Sequence, residues 1–233
     1  MKWFWYASPQ TFYPLAARIG MAATVIAALL CAAGLYIGLF VAPTDAQQGE
    51  AYRIIFIHVP AAWMSMFLYV VMAFWAALGL ALNTRLSGMM ARAIAPTGAL
   101  FTFIALWTGS LWGKPTWGTY WVWDARLTSE LILLFLYLGF MALQASIDDA
   151  RRADRAGAVL ALVGVVNIPI IYYSVQWWST LHQGASVSLK SGSSMAPVML
   201  AGMLVMALGF WAYAIAAAMT RVRCIMRERG EAA

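Results

Sequence analysis

Six apolar stretches, each of about twenty residues or more, govern what this chain can become, because a helix needs roughly 20 residues to cross a bilayer core of ~30 Å. They run from about Arg18 to Val41, Pro60 to Leu82, Ala93 to Trp112, Thr128 to Ile147, Ala156 to Gln176 and Ala196 to Arg221. Hydrophobic residues make up 64% of the chain and charged ones only 10%, so there is no polar shell with which to cover a soluble core of this size. The expected fold is all-α: a polytopic membrane protein of about six transmembrane helices, one transmembrane domain over residues 1–233. Its outward loops are predicted at about 42–59, 113–127 and 177–195. Arg92 and Pro96 blur the start of the third stretch, and Asn167 with Pro169 interrupts the fifth. Both are tolerable where neighbouring helices satisfy the backbone.

The net charge of +6 raises the question of nucleic acid, but Lys and Arg occur in short runs between apolar stretches rather than in one patch. Eleven of the fifteen, from Lys2 and Arg18 through Arg85, Arg92 and Arg151 to the Arg221–Arg229 tail, fall on one side of the predicted topology. Arg53, Lys114, Arg126 and Lys190 fall on the other. Cytoplasmic segments are enriched in such residues, so both termini are expected in the cytoplasm. The first seventeen residues, with Trp3, Phe4, Trp5, Tyr6, Phe12 and Tyr13, read as a retained interfacial anchor rather than a cleavable leader. Cys31 and Cys224 are too far apart in the topology for a disulfide, and neither stands in a Cys-x-x-Cys-His or zinc-type spacing. A covalent tether in the manner of a c-type cytochrome is not expected, and a thiol-redox role has no support in the sequence.

The chemistry lies on the outward side. Its two histidines, the only ones in the sequence, are His58, before Pro60 at the start of the second span, and His182, in Trp177-Trp-Ser-Thr-Leu-His-Gln-Gly184. Either one alone reads as an amphipathic residue at the membrane surface. Together, two neutral imidazoles at similar depth on one side can occupy both axial positions of a haem iron, without cysteine or carboxylate. Between them runs Trp112-Gly-Lys-Pro-Thr-Trp117-Gly118-Thr-Tyr120-Trp121-Val-Trp123-Asp124-Ala-Arg126. An aromatic belt accounts for one or two of these residues but not for this density. Indole faces offer an apolar platform for a flat macrocycle, and Gly113 and Gly118 let the backbone come close.

Haem carries two carboxylates, for which Arg53, Lys114 and Arg126 are the outward cationic candidates, the alternative for each being ordinary interfacial snorkelling. Asp124 and Glu130, flanking the start of the fourth span, read as capping groups or partners of Arg126. Gly109-x-x-x-Gly113-Lys114-Pro115 lacks a spacer residue and the closing Ser or Thr of a phosphate loop, so no nucleotide hydrolysis is expected. Gly34-x-x-x-Gly38 is a helix-packing candidate.

Trp117-Gly-Thr-Tyr-Trp121-Val-Trp123-Asp124 resembles the tryptophan-rich (WWD) signature of haem-handling membrane proteins. Tyr52-Arg-Ile-Ile-Phe-Ile-His58-Val-Pro60, Gly109-Ser-Leu-Trp-Gly-Lys-Pro115, Trp123-Asp-Ala-Arg-Leu-Thr-Ser-Glu130 and Gln176-Trp-Trp-Ser-Thr-Leu-His182-Gln-Gly184 narrow the resemblance to the CcmC family of the bacterial cytochrome c maturation system. It covers about Pro43 to Gly184, with one departure, Tyr120 in place of a further Trp. The resemblance implies a bacterial inner-membrane protein holding haem b (iron protoporphyrin IX) at its periplasmic face, with His58 and His182 as iron ligands. Trp112, Trp117, Gly118, Tyr120, Trp121, Trp123, Asp124, Arg53, Lys114 and Arg126 would lie around it. It further implies presentation of that haem to the chaperone CcmE, release driven by the ABC transporter subunits CcmA and CcmB, and a small subunit, CcmD. Whether such a module assists bond formation to the chaperone or only positions it stays open at this level. So do two other classes, a b-type electron-transfer cytochrome and a haem channel.

Overall fold

In a computed structural model of the chain, residues 7–182, 187–188, 192–193 and 195–231 are described. Lys2, the aromatic run Trp3–Tyr6, Gln183, Gly184 and Lys190 lie outside them. Among the described residues seven α-helices carry the fold: α1 Pro9–Tyr36, α2 Ile55–Leu82, α3 Arg85–Trp117, α4 Ala125–Ala145, α5 Ala150–Gly164, α6 Asn167–Trp177 and α7 Pro197–Glu228. A π-turn, Ile37–Val41, extends α1, and a 3₁₀ turn, Glu50–Ile54, leads into α2. The only strands among the described residues are a two-residue antiparallel pair, Val187–Ser188 with Gly192–Ser193. With α5 and α6 counted as one broken rod, six helical segments are long and apolar enough to cross a membrane.

Local chemistry fixes the ends. Pro9 and Pro197 open α1 and α7, where the missing N–H costs nothing. Asp124 and Asp149 cap α4 and α5, accepting hydrogen bonds from the N–H groups of Leu127 at 2.8 Å and Arg152 at 2.7 Å. Gly118 closes α3 at φ 79°, a left-handed conformation that glycine adopts without strain. The break between α5 and α6 falls at Val165–Val166, where Pro169 has no N–H to return to the preceding turn.

Helix α3 is the most buried of the six and α1 the least: α3 packs against α2, α4, α5 and α7, while α1 lies against α7 and α6 against α4. Small residues set the closest approaches. A Cβ on Gly34 would lie 3.0 Å from the Met206 backbone nitrogen of α7, and one on Gly38 would overlap Phe56 of α2. The Gly34/Gly38 pair thus packs helices within this chain. Two side chains tie α4 to α6 in opposite directions: Arg126 donates to the Ile171 carbonyl at 2.7 Å, and Asn167 donates to the Ser129 carbonyl at 2.9 Å.

The helices overrun the predicted stretches, α1 beginning at Pro9 rather than Arg18 and α3 at Arg85 rather than Ala93, and two of the extensions reach the outward side. Helix α2 begins at Ile55, so Pro60 and His58 stand inside the helix rather than at its mouth, and α3 runs on through Lys114 to Trp117. Helices continue past the lipid wherever packing and caps hold them, through Pro60 in α2 and Gly113 and Pro115 in α3, whereas hydropathy registers only the apolar part. The wet loops shrink to Ala42–Gly49 and Gly118–Asp124.

Candidate functional site

His58 sits one turn into α2, facing α3. Its Nδ1 lies 3.1 Å from the Thr108 hydroxyl, and that hydroxyl spends its single hydrogen on the Ile104 carbonyl at 2.6 Å. Thr108 therefore accepts, His58 Nδ1 carries the proton, and Nε2 keeps its lone pair. This is the arrangement by which proteins fix a metal-binding imidazole. Gly109 makes room for the ring: a Cβ there would fall 2.8 Å from His58 Cε1. Trp112, one turn further along α3, meets the imidazole edge-on at 5.7 Å between centroids.

His182 lies beyond the end of α6. Its ring centroid is 5.0 Å from that of Trp117 and 6.4 Å from that of His58, with the two imidazoles inclined at 37°. Its Nδ1 is buried without a hydrogen-bond partner. The two histidines, 124 positions apart, face one cavity of about 310 Å³, which Trp63, Trp112, Trp117, Tyr172 and Met203 also line. Among the described residues, Arg126 is the only formally charged one in that lining. No group of three or more His, Cys, Asp and Glu side chains with metal-holding geometry occurs among the described residues, so the donor set here is two imidazoles.

Residue by residue, the predicted site divides. His58, His182, Trp112, Trp117 and Arg126 converge on the cavity. Arg53 does not: its guanidinium pairs with Glu50 and donates to the carbonyls of Gly38 at 2.6 Å and Ala42 at 3.0 Å, closing the end of the π-turn. Lys114 points away too, donating to the Gly118 carbonyl at 3.1 Å with its ammonium over the Tyr120 ring. Tyr120 and Trp123 are 55% and 77% exposed, and Trp121 meets Trp123 edge-on at 5.4 Å. Gly118 and Asp124 serve as helix caps. Glu130 is not paired with Arg126. It is buried at 6% exposure and hydrogen-bonded to Ser65 at 2.7 Å.

Comparison with known proteins gives the family of the chain. The profile of heme exporter protein C matches residues 2–233. The chain belongs to the heme exporter protein C family. Heme exporter protein C of Bradyrhizobium diazoefficiens is 54% identical over 205 residues, covering 88% of this chain and 77% of the relative. That of Escherichia coli K12 is 60% identical over 149 residues, 64% of this chain and 61% of the relative. A ccmC-like mitochondrial protein of Marchantia polymorpha, provisionally named for cytochrome c biosynthesis, is 50% identical over 68% of this chain and 67% of its own length.

In this heme exporter protein C family member three site residues escaped the sequence reading. Thr108 and Gly109 stand inside an apolar helix and are recognisable only once His58 is seen against them. Gln48, in the loop before α2, lines the cavity and accepts the indole N–H of Trp112 at 2.7 Å across 64 positions of sequence. No local pattern announces such a contact. Gln48→Ala leaves that N–H unsatisfied at a cost of ~1–3 kcal/mol and lets the Trp112 ring turn against His58. The expected result is a roughly tenfold weaker affinity for a ligand held at His58, with Gln48→Glu retaining wild-type affinity; equal affinity in Gln48→Ala would remove Gln48 from the site.

His182 lies outside the membrane-crossing helices. Burial, reinforced by the positive field of Arg126, lowers its pKa from 6.5 to about 4. The folded value lies below the unfolded one, so between them the folded state binds fewer protons. Stability is complete above pH 6.5 and is lost as the pH falls towards 4, by at most ~1.4 kcal/mol per pH unit. The ligand-free protein in detergent is expected to show a melting midpoint that drops through this window and levels off below it. His182→Gln should flatten the drop, and a variant that follows the wild-type curve would contradict the assignment.

Proposed function

We propose that this chain holds haem at the outer, periplasmic face of the bacterial inner membrane and presents it to the chaperone CcmE during cytochrome c maturation. The observation that carries the reading is the spacing of two imidazoles with one ring nitrogen already defined. Metal–imidazole bonds of ~2.0–2.1 Å on opposite sides of one ion, with the ring radius added at each end, put the centroids roughly 6 Å apart. The observed separation is 6.4 Å. His58 Nε2 keeps its lone pair, and His182 offers an imidazole that is neutral above about pH 4. The site is thus ready to bind iron without first losing a proton.

The remaining lining suits the same cargo. Trp112 and Trp117 supply apolar faces, and Arg126 supplies the cation for a carboxylate, with a geometry able to grip both oxygens. At about 310 Å³ the cavity lies at the small end of the ~300–1,000 Å³ typical of ligand sites. It can enclose the metal and leave part of the macrocycle outside. An exposed edge is what a carrier needs if a partner is to reach a vinyl group, whereas an electron-transfer haem is walled in. The exposed ring of Trp123 and the half-exposed rings of Tyr120, Trp177 and Trp178, on the segments that precede Arg126 and His182, offer apolar surface on which CcmE would dock. CcmA, CcmB and CcmD complete the assembly, and nucleotide hydrolysis resides in the transporter subunits. The chain's own part is to ligate, orient and offer.

Haem titrated into the purified protein in nanodiscs should give a six-coordinate, low-spin spectrum that fades when excess CcmE takes the haem. A five-coordinate spectrum would overturn the bis-imidazole site. Haem that stays bound through exposure to CcmE would mark a resident cytochrome instead.

A further inference from the structure

Beneath the cavity lies a carboxyl group that the site does not use. Glu130, on α4 one turn below Arg126, is 6% exposed; Ser65 of α2 contacts its Oε1 at 2.7 Å, and Oε2 is buried with no partner. The Ser65 hydroxyl is also 2.8 Å from the Ala62 carbonyl. It has one hydrogen and cannot give it to both. If it goes to Glu130, the glutamate is an anion accepting from Ser65. If it goes to Ala62, Ser65 Oγ accepts, and the only donor available to it there is a protonated Glu130. Both proton arrangements are hydrogen-bonded without moving a heavy atom, so this group can gain or lose a proton in place.

Among the described residues, the cation whose field reaches it is Arg126. On its own helix the other titratable groups are Tyr137, whose hydroxyl donates to the Ser65 carbonyl at 2.8 Å, and the capping Asp124; α2 adds Tyr69 and, within the cavity, His58. His182 follows α6, whose Tyr172 and Tyr173 are exposed. The charges of α5 and the arginines of α3 lie at the opposite helix ends, and Lys114 is exposed.

We propose that Glu130 takes up one proton from solvent when a carboxylate of the bound ligand engages Arg126. The inference rests on the haem reading of the cavity. Before binding, Arg126 and Glu130 compensate one another through a low-dielectric interior. A ligand carboxylate on Arg126 leaves Glu130 as an uncompensated buried anion, which is costly, and protonation restores neutrality. The balance is one carboxylate, one solvent proton and no electron. The chain would then bind an anionic ligand together with a proton, and loss of that proton would favour release.

The test is the pH dependence of affinity, measured between pH 6 and 8 in nanodiscs with haem and with haem dimethyl ester, which keeps the iron but has no carboxylate charge. Between the free and the bound pKa of Glu130, wild-type affinity for haem should fall relative to the ester by up to about tenfold per pH unit, the limit for one coupled proton. In Glu130→Gln the two ligands should run parallel. Ser65→Ala, which leaves the acid in place, should keep a haem-specific slope. Parallel curves in the wild type, or the wild-type slope in Glu130→Gln, would overturn the proton coupling while the low-spin spectrum leaves the haem site standing. Absence of any bis-imidazole spectrum would overturn both.

Discussion

His182→Ala is expected to convert a six-coordinate haem spectrum to a five-coordinate one and to weaken haem binding by at least ~100-fold, since even outer-shell partners of a metal ligand are worth ~10–100-fold. Free imidazole at millimolar concentration should restore the low-spin spectrum, because removing the ring leaves an imidazole-sized space beside Trp117. Rescue separates loss of a ligand from loss of the fold. His58→Ala should behave alike, its space bounded by Gly109 and Trp112. Unchanged spectra in both variants would remove the iron from between these residues.

The second large effect is on stability and lies away from the cavity. Gly98→Ala places a Cβ 2.1 Å from Tyr137 Cζ and 2.3 Å from its hydroxyl oxygen. Tyr137 is fully buried, donates to the Ser65 carbonyl and packs edge-on against Tyr69 at 5.0 Å, so the ring has nowhere to go. Overpacking of this kind costs ~1–3 kcal/mol or more, and displacing the tyrosine adds the loss of a buried hydrogen bond. The expected outcome is a loss of about 3 kcal/mol or failure to accumulate in the membrane. Gly79→Ala is the control, since its added Cβ would come no nearer than 3.6 Å to Gly88 and Ser87. Unfolding in mixed micelles should show that variant equal to or above wild type, because alanine is the better helix former by ~1 kcal/mol; equal loss in both would refute the packing argument.

The six spans were legible because lipid demands apolar residues over a fixed length, and the chain carries few others. The histidine pair was legible because only two imidazoles exist and the topology puts them on one side. Helix ends were not, since beyond the lipid a helix is held by caps and packing, and His58 and Lys114 proved helical where loops were expected. Nor was the division of labour among the cations. Arg53, Lys114 and Arg126 look alike in sequence, and what separates them is that Arg53 reaches the carbonyls of Gly38 and Ala42 while Arg126 reaches Ile171 and the cavity. Gln48 and Thr108 act through contacts 64 and 50 positions away, which no local spacing encodes.

The double tie between α4 and α6 has a mechanical consequence. Arg126 and the segment leading to His182 travel with that pair, whereas His58 and Trp112 belong to α2 and α3, joined by the His58–Thr108 bond. The pairs are pinned together deeper down, where Glu130 and Tyr137 both bond to Ser65, whereas at the rim they meet through the Trp117–His182 ring contact and would be bridged by cargo. The molecule is thus built like tongs, pivoting low and gripping high. A small splay at the tips would pull one imidazole off the metal without disturbing the joint.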